Sequence, residues 1–597
     1  MALEPSLART GAGAGADAGA NAGSFASADG DAAADAGLAS VAQAFEQAAA
    51  RWPGAEFVDV LPETAAVYGI LTGPTTYAQL QGLIVHQRAA YAQAGYGAGH
   101  RVGLLLDNRP AFFLHWFALN GLGVSVVPIN ADLRAAELEY LVGHSEIALA
   151  VALPHRHADL AAAAQAAGRT LALMAGGALE VDSDPPPAPF PPPGAGAANA
   201  SPTLATECAL LYTSGTTGRP KGCILPNRYF LHSGAWYAAV GGLAALRVAQ
   251  PGPTKDGQGS WVQDRMLTPL PLVHMNAMAY SVLAMVLTGG CLIVLDRFHP
   301  GSWWDSVRAS RATVVHYLGV MPSMLMKAAP ADADRAHHVR FGFGAGVDRA
   351  LHAPFEARFG FPLLEAWAMT ETGAGAVVMA HREPRQVGSN CFGREGADVQ
   401  VRLVADHGGE PGVDEPGELW VRHAGDNPRD GFFAGYLKDP EATAEAWAEG
   451  WFHTGDIVRR GVDGQLHFID RRKNVIRRSG ENISAVEVES VLNQHPAVKA
   501  CAVAATLDAV RGDEVLACVV THEPVPEAQR ESLARDITEH TLQRLAYYKA
   551  PGWVAFVQAL PLTASNKLQR GELKAWAQAL PGQAHCVDTR ALKKRRG

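Results

Sequence analysis

Two long uncharged runs limit the fold more than any other feature of the chain. Met275–Leu295 holds no charged residue, yet it contains Asn276 and is broken by Gly289–Gly290. Its halves read as a helix, a glycine turn and a buried strand, CLIVL. Pro110–Ala131 repeats the form, with AFFLHWFALN as a helix, a turn at Gly121–Gly123 and VSVVPI as a strand. A membrane span needs about 20 apolar residues without such breaks. Helix–turn–strand units instead build a parallel sheet with helices packed on it.

The 597 residues call for more than one domain. Residues 1–39 are rich in Ala, Gly and Ser and carry Asp17, Asp29, Asp31 and Asp35. They lack an apolar stretch and are acid-bearing, so they read as a disordered leader and not as a signal or transit peptide. Val41, Phe45, Ala48 and Trp52 share one face of a helix closed by Pro53. A large domain is therefore expected over 40–472. Residues 182–202 form a Pro-rich tract that supports neither helix nor sheet. Since α/β alternation resumes at Ala209, the tract reads as a loop within one domain. More β-like segments follow Gly388. After Arg472 the pattern changes to a compact α+β unit over 473–577, followed by a tail, 578–597. The basic residues Lys593–Arg596 read as a solvated terminus.

The formal net charge of -9 argues against binding a nucleic-acid backbone. Seven scattered cysteines without a CxxC pair argue against a disulfide framework or zinc site and suit a reducing cytoplasm. Only 11 of the 50 basic residues are Lys, so each Lys can be considered separately.

The string Tyr212-Thr-Ser-Gly-Thr-Thr-Gly-Arg-Pro-Lys-Gly222 is the strongest local signal. Its glycines let successive backbone N–H groups face one concavity. The hydroxyls of Thr213, Ser214, Thr216 and Thr217 add donors around Gly215 and Gly218, and Lys221 adds charge. Such a nest suits a phosphate. It is not a Walker A loop, because G-K-[ST] is absent.

At this string the chain resembles the adenylate-forming superfamily of acyl-CoA synthetases, amino-acid adenylation domains and luciferases. Further stretches match in order: Leu270–His274, Gly344–Gly346, Trp367–Glu371, Gly417–Leu419, Gly435–Tyr436, Trp451–Asp456, Asp470–Lys473, Ser479–Ile483 and Leu560–Lys567. GYLKDPEAT, GWFHTGD and RRSGENISAVEVE look most like fatty-acid and crotonobetaine/carnitine–CoA ligases. The resemblance implies a large α/β N-terminal domain, its sheets flanked by helices and joined by a small β-rich subdomain. It also implies a smaller, mobile α+β C-terminal domain.

It further implies ATP, Mg²⁺ and coenzyme A as the reaction's partners. A carboxylate attacks the α-phosphate to give acyl-AMP and pyrophosphate, and the CoA thiol then displaces AMP. Joining two anions calls for positive charge and close positioning. Lys567 would supply that charge, although Asn566 stands where the family has Gly. Glu371 would hold Mg²⁺, with Thr213 or Thr216 adding an oxygen. Thr370 would bond the α-phosphate, Trp367 would stack on adenine along Gly344, Ala345 and Gly346, Asp456 would bind the ribose, and Arg471 would bind the ribose or a phosphate. Trp236, His274, Asn276, Ala277 and Ala368 would shape the acyl pocket. Lys473 would be the hinge about which Gly480, Glu481 and Asn482 swing to the thiol channel. His274 reads as a gate there and not as a general base, and Lys549 reads as structural.

A short or medium acid is expected from Ala368 in place of Gly. An enzyme that loads an acyl or amino-acid group onto a carrier protein is the first alternative. It is disfavoured because Val273-His274-Met275 offers no Asp for an amino group and no carrier domain follows residue 580. A non-catalytic nucleotide-binding homologue is the second, since Asn566 and Ala368 depart from the pattern. A homodimer is allowed for.

Overall fold

The uncharged runs fold as their glycine breaks require. In the computed structural model, which describes residues 37–180, 185–189, 201–213, 219–252, 261–405, 408–471, 475–561, 568 and 570–594, Ala111–Asn120 is a helix buried on every side. The strand Ser125–Pro128 follows it. In the second run a π-helix, Asn276–Val282, continues as the α-helix Leu283–Thr288. Gly289 ends that helix in the left-handed conformation at φ 70°, where glycine carries no Cβ penalty. The buried strand Cys291–Val294 comes next.

Seven strands form one sheet, in the order Gly435–Tyr436, Lys221–Pro226, Glu207–Thr213, Ser125–Pro128, Arg101–Leu105, Leu149–Ala152 and Ala172–Ala175. Eight form a second, in the order Val378–Met379, Leu363–Trp367, Phe341–Ala345, Val314–Leu318, Arg265–Thr268, Cys291–Val294, Glu56–Val60 and Gly73–Thr76. Its six inner strands run parallel. Side chains alternate between the faces of each sheet. One face of both sheets, with Phe45, Phe113, Phe117 and Leu283 from the helices between them, makes the main core. The outer face of the eight-stranded sheet packs on Trp303, Val307 and Phe359. The outer face of the seven-stranded sheet packs on Leu138, Leu141 and Leu160. Helices and sheets thus alternate in layers.

The strands on either side of the Pro-rich tract belong to the same sheet, so the tract is a connection within one unit. Its described part docks on the large domain, where the Tyr96 hydroxyl donates to the Pro187 carbonyl at 2.8 Å. A third, antiparallel sheet runs Cys391–Gly393, Leu466–Arg471, Trp451–Arg460, Pro416–His423 and Val399–Val404. No helix among the described residues is long and apolar enough to cross a membrane.

The C-terminal sheet joins Glu481–Ser484, Val475–Arg478, Gly512–Thr521, Trp553–Phe556 and Cys586–Asp588, with Val498–Asp508 paired on Gly512–Thr521. Val488, Leu492, Val503, Val519 and Ile537 pack beneath it. The expected end at 577 is corrected, because Cys586–Asp588 pairs with Trp553–Phe556 inside this sheet. The expected solvated basic tail is corrected at Lys593. Its side chain is fully buried against Glu514, which also takes Arg478 at 2.8 Å. Burial, and then repulsion from Arg478, press the Lys593 ammonium down to about 7.

Candidate active site

One cavity of about 1940 Å³ opens between the sheets and the C-terminal unit. The end where phosphates were expected is built on a hairpin. Glu207–Thr213 and Lys221–Pro226 pair antiparallel with Thr213 opposite Lys221, and both residues line the cavity. Ser214, Gly215, Thr216, Thr217 and Gly218, the tip of this hairpin, lie outside the described residues. The Lys221 ammonium sits 4.7 Å from the centre of the Tyr436 ring and 3.8 Å from Asp439. Tyr436 is held beside the hairpin because Gly435–Tyr436 pairs with Ile224 and Cys223.

The Tyr436 hydroxyl donates to Glu371 Oε1 at 2.9 Å. This fixes one oxygen of a carboxylate that is buried yet lines the cavity. Burial, and then the Glu371 charge, hold the Tyr436 phenol well above its usual range, so it stays a donor. Thr370 and Ala368 line the same wall. Glu371 and Thr213 therefore fit as ligands for Mg²⁺, which prefers one or two protein oxygens together with substrate phosphates.

The turn Gly344-Ala345-Gly346 also lines the cavity, and a carboxylate that sequence reasoning missed orders it. Glu365 accepts the Gly346 N–H at 3.0 Å and the Val347 N–H at 2.8 Å. Gly344 has no alternative, because a Cβ there would collide with the Tyr317 carbonyl oxygen.

Trp367 is placed differently from the expectation. Its strand alternates, so Ala366 and Ala368 face the cavity while the Trp367 ring is buried. Its indole N–H donates to Asp456 Oδ2 at 2.9 Å. The expected stacking of Trp367 on adenine is corrected: it braces the carboxylate assigned to the ribose. Asp456 is itself seated by a 3.0 Å bond from its N–H to Thr454 Oγ1, and the neighbouring Gly455 N–H meets Glu418 at 3.1 Å. Arg471 lies opposite Asp456 in the ladder.

At the end of the cavity where an acyl group was expected, Asn108 pins the loop that carries His274. Its Nδ2 donates to the Leu270 and Leu295 carbonyls at 3.2 and 2.8 Å, and its Oδ1 accepts the Leu272 N–H at 2.9 Å. His274 and Asn276 line the cavity. Ala277 is fully buried and does not line it, and Trp236 instead packs 5.6 Å from the Tyr280 ring. The expectation that these two shape the acyl pocket directly is corrected.

The C-terminal unit reaches the same place. Gly480 and Glu481 line the cavity, and Glu481 lies 3.6 Å from His274. Burial works against a charged His274, but the neighbouring Glu481 carboxylate outweighs it and raises its pKa above the usual value. The reciprocal effect lowers Glu481 despite its burial. Nearby, Lys549 bridges Glu137 of the large domain at 2.6 Å and Glu487 of the C-terminal unit at 3.0 Å. Asn482 is placed by its backbone alone, opposite Arg477 in the ladder. Lys473 and Lys567 lie outside the described residues.

A layered α/β body and a small capping unit thus meet over one cleft that holds a lysine-bearing hairpin and a tethered carboxylate. The chain belongs to the AMP-binding enzyme family: the family's sequence profile matches residues 45–437, and that of the AMP-binding enzyme C-terminal domain matches 487–567. The crotonobetaine/carnitine–CoA ligase of Salmonella heidelberg (strain SL476) is 29% identical over 508 residues, covering 84% of this chain and 93% of the relative. The o-succinylbenzoate CoA synthetase of Bacillus subtilis, solved with a product analogue, is similar at TM-score 0.70 and 23% identity, covering 89% of this chain and 98% of that one. A malonyl-CoA ligase in a ternary product complex is similar at TM-score 0.64 and 26% identity, covering 82% and 95%.

Proposed function

We infer that this chain is an ATP-dependent carboxylate–CoA ligase, which forms acyl-AMP and pyrophosphate and then acyl-CoA and AMP. The observation that carries the reading is the meeting, in one cavity, of the Thr213/Lys221 hairpin, the Tyr436-tethered Glu371 and the Gly480–Glu481 loop on His274.

Lys221 draws the phosphates of ATP toward the hairpin, with Tyr436 and Asp439 holding its ammonium in place. Glu365 orders the turn assigned to adenine, and Trp367 orients the carboxylate assigned to the ribose. Glu371 and Thr213 would hold Mg²⁺, which would supply neutralisation of phosphate charge. Lys567 is proposed as the cation that meets both the carboxylate and the α-phosphate. The presence of Gly480 and Glu481 at the cavity supports assigning this arrangement to the second half-reaction, in which closure keeps water from the acyl anhydride. All seven cysteines are buried and unpaired, which supports a reducing, cytoplasmic setting.

The test is carboxylate-dependent release of pyrophosphate from ATP, followed by CoA-dependent release of AMP. Pyrophosphate without CoA-dependent AMP would point to a different acyl acceptor. No carboxylate-dependent pyrophosphate would point to a nucleotide-binding homologue without catalysis.

A further inference from the structure

A chain of buried polar groups ends in the acyl pocket. Burial pushes the His316 ring down to about 3, so it is neutral and carries one N–H. Its Nε2 is 3.1 Å from the Tyr237 hydroxyl. Its Nδ1 is 2.8 Å from Asn276 Oδ1 and 3.0 Å from Ser281 Oγ. An amide oxygen only accepts. The Ser281 hydroxyl donates to the Asn276 carbonyl at 3.2 Å, across the wide turn of the π-helix, so toward His316 its oxygen accepts as well. Both groups at Nδ1 are acceptors, and the proton therefore sits on Nδ1 while Tyr237 donates to Nε2.

This network orients the Asn276 amide. Its oxygen is taken by His316, and among the described residues its nitrogen meets no protein acceptor. Asn276 lines the cavity, so two N–H donors are offered to whatever fills it. His274 and Met275 precede Asn276 in the lining, and Tyr280, Leu318 and Phe343 line the cavity as well. Among the described residues, the lysines and arginines that line the cavity come from elsewhere: from the hairpin, from Lys438 beyond it and from the C-terminal unit.

We propose that Asn276 is a specificity-determining residue, and that the acid activated here is a monocarboxylate bearing a neutral hydrogen-bond acceptor (a hydroxyl, keto or ether oxygen) on its acyl body. The proposal rests on the ligase reading above. A donor pair left unmatched against an apolar acyl group is costly, so acids without the oxygen are rejected. Among the described residues this wall holds no Lys or Arg for a second carboxylate, and the nearby His274 already faces Glu481; a quaternary ammonium group presents positive charge to N–H donors.

The experiment compares kcat/KM for carboxylate-dependent pyrophosphate release over pairs of acids that differ only by a hydroxyl or keto oxygen in place of a methyl group. Wild type should favour the oxygen-bearing member of the fitting pair by about 10- to 100-fold. Asn276→Leu, near in size, should bring that ratio close to one, and His316→Phe should lower it by freeing the amide to rotate. If either variant does not fold, the wild-type ratio alone decides. Turnover of acids with a ratio near one in wild type, or a ratio unchanged in a folded Asn276→Leu protein, overturns the proposal and leaves the ligase reading intact. Absence of pyrophosphate with every acid overturns both.

Discussion

Lys549 offers the sharpest mechanical test of the second half-reaction. It lies in the C-terminal unit and joins that unit to the large domain through Glu137 at 2.6 Å, while holding Glu487 at 3.0 Å. All three side chains are at least nine-tenths buried. Burial disfavours the Lys549 charge, but Glu137 and Glu487 outweigh it and hold its pKa above the usual value. Lys549→Met keeps the stem and removes the charge, leaving two buried carboxylates face to face. Breaking such a pair costs about 3–5 kcal/mol. Burial already raises the Glu487 pKa, with the Glu137 charge adding to it, so protonation would relieve part of that cost. A residue of about 2 kcal/mol is worth roughly 30-fold in rate or population. The two half-reactions separate the effect: pyrophosphate release without CoA reports the first, and preformed acyl-AMP mixed with CoA reports the second. Transfer to CoA should slow by about 30-fold or more, while acyl-AMP formation changes by less than about 3-fold. Equal slowing of both steps, or of neither, would refute the assignment of this contact to the thioester-forming arrangement.

Glu371→Gln should lower pyrophosphate release by roughly 100-fold or more at unchanged thermal stability, as expected when a carboxylate at the phosphate end is lost. Trp367→Phe removes the N–H held by Asp456 and should raise KM for ATP by about 10-fold while leaving KM for the acid unchanged, which initial-rate kinetics can read. The His274–Glu481 contact should show a pH dependence of definite sign. Glu481 raises the His274 pKa above 6.5, so the charged contact is fully present below pH 6.5 and is lost as pH rises through the raised value. The rate of CoA transfer from preformed acyl-AMP should carry a titration above pH 6.5 that Glu481→Gln removes.

Much of the fold was legible because uncharged runs broken by glycine leave few alternatives: the halves of Pro110–Ala131 and Met275–Leu295 are helix and strand where the breaks put them. The strand that enters the hairpin was legible for the same local reason, as the apolar run Ala209–Tyr212, while the donors that follow it lie outside the described residues. What escaped was non-local. A three-residue edge strand such as Cys586–Asp588 carries no pattern, and burial of Lys593 depends on Glu514, 79 positions away. The parity of Leu363–Trp367 decides whether Trp367 or Ala368 faces the cleft, and an aromatic residue near a Glu does not reveal it. Asn276, the first residue of the π-helix Asn276–Val282, lines the cavity while Ala277 beside it is buried, a choice of face that an uncharged run does not reveal. The bridge from Lys549 to Glu137 spans 412 positions, beyond any local signal.

The most direct measurement is product stoichiometry. With ATP, Mg²⁺, CoA and a panel of short and medium carboxylic acids, the account predicts that an accepted acid gives pyrophosphate, AMP and acyl-CoA in equal amounts, each dependent on that acid. Formation of ADP and phosphate, or nucleotide turnover that does not depend on the acid, would contradict it.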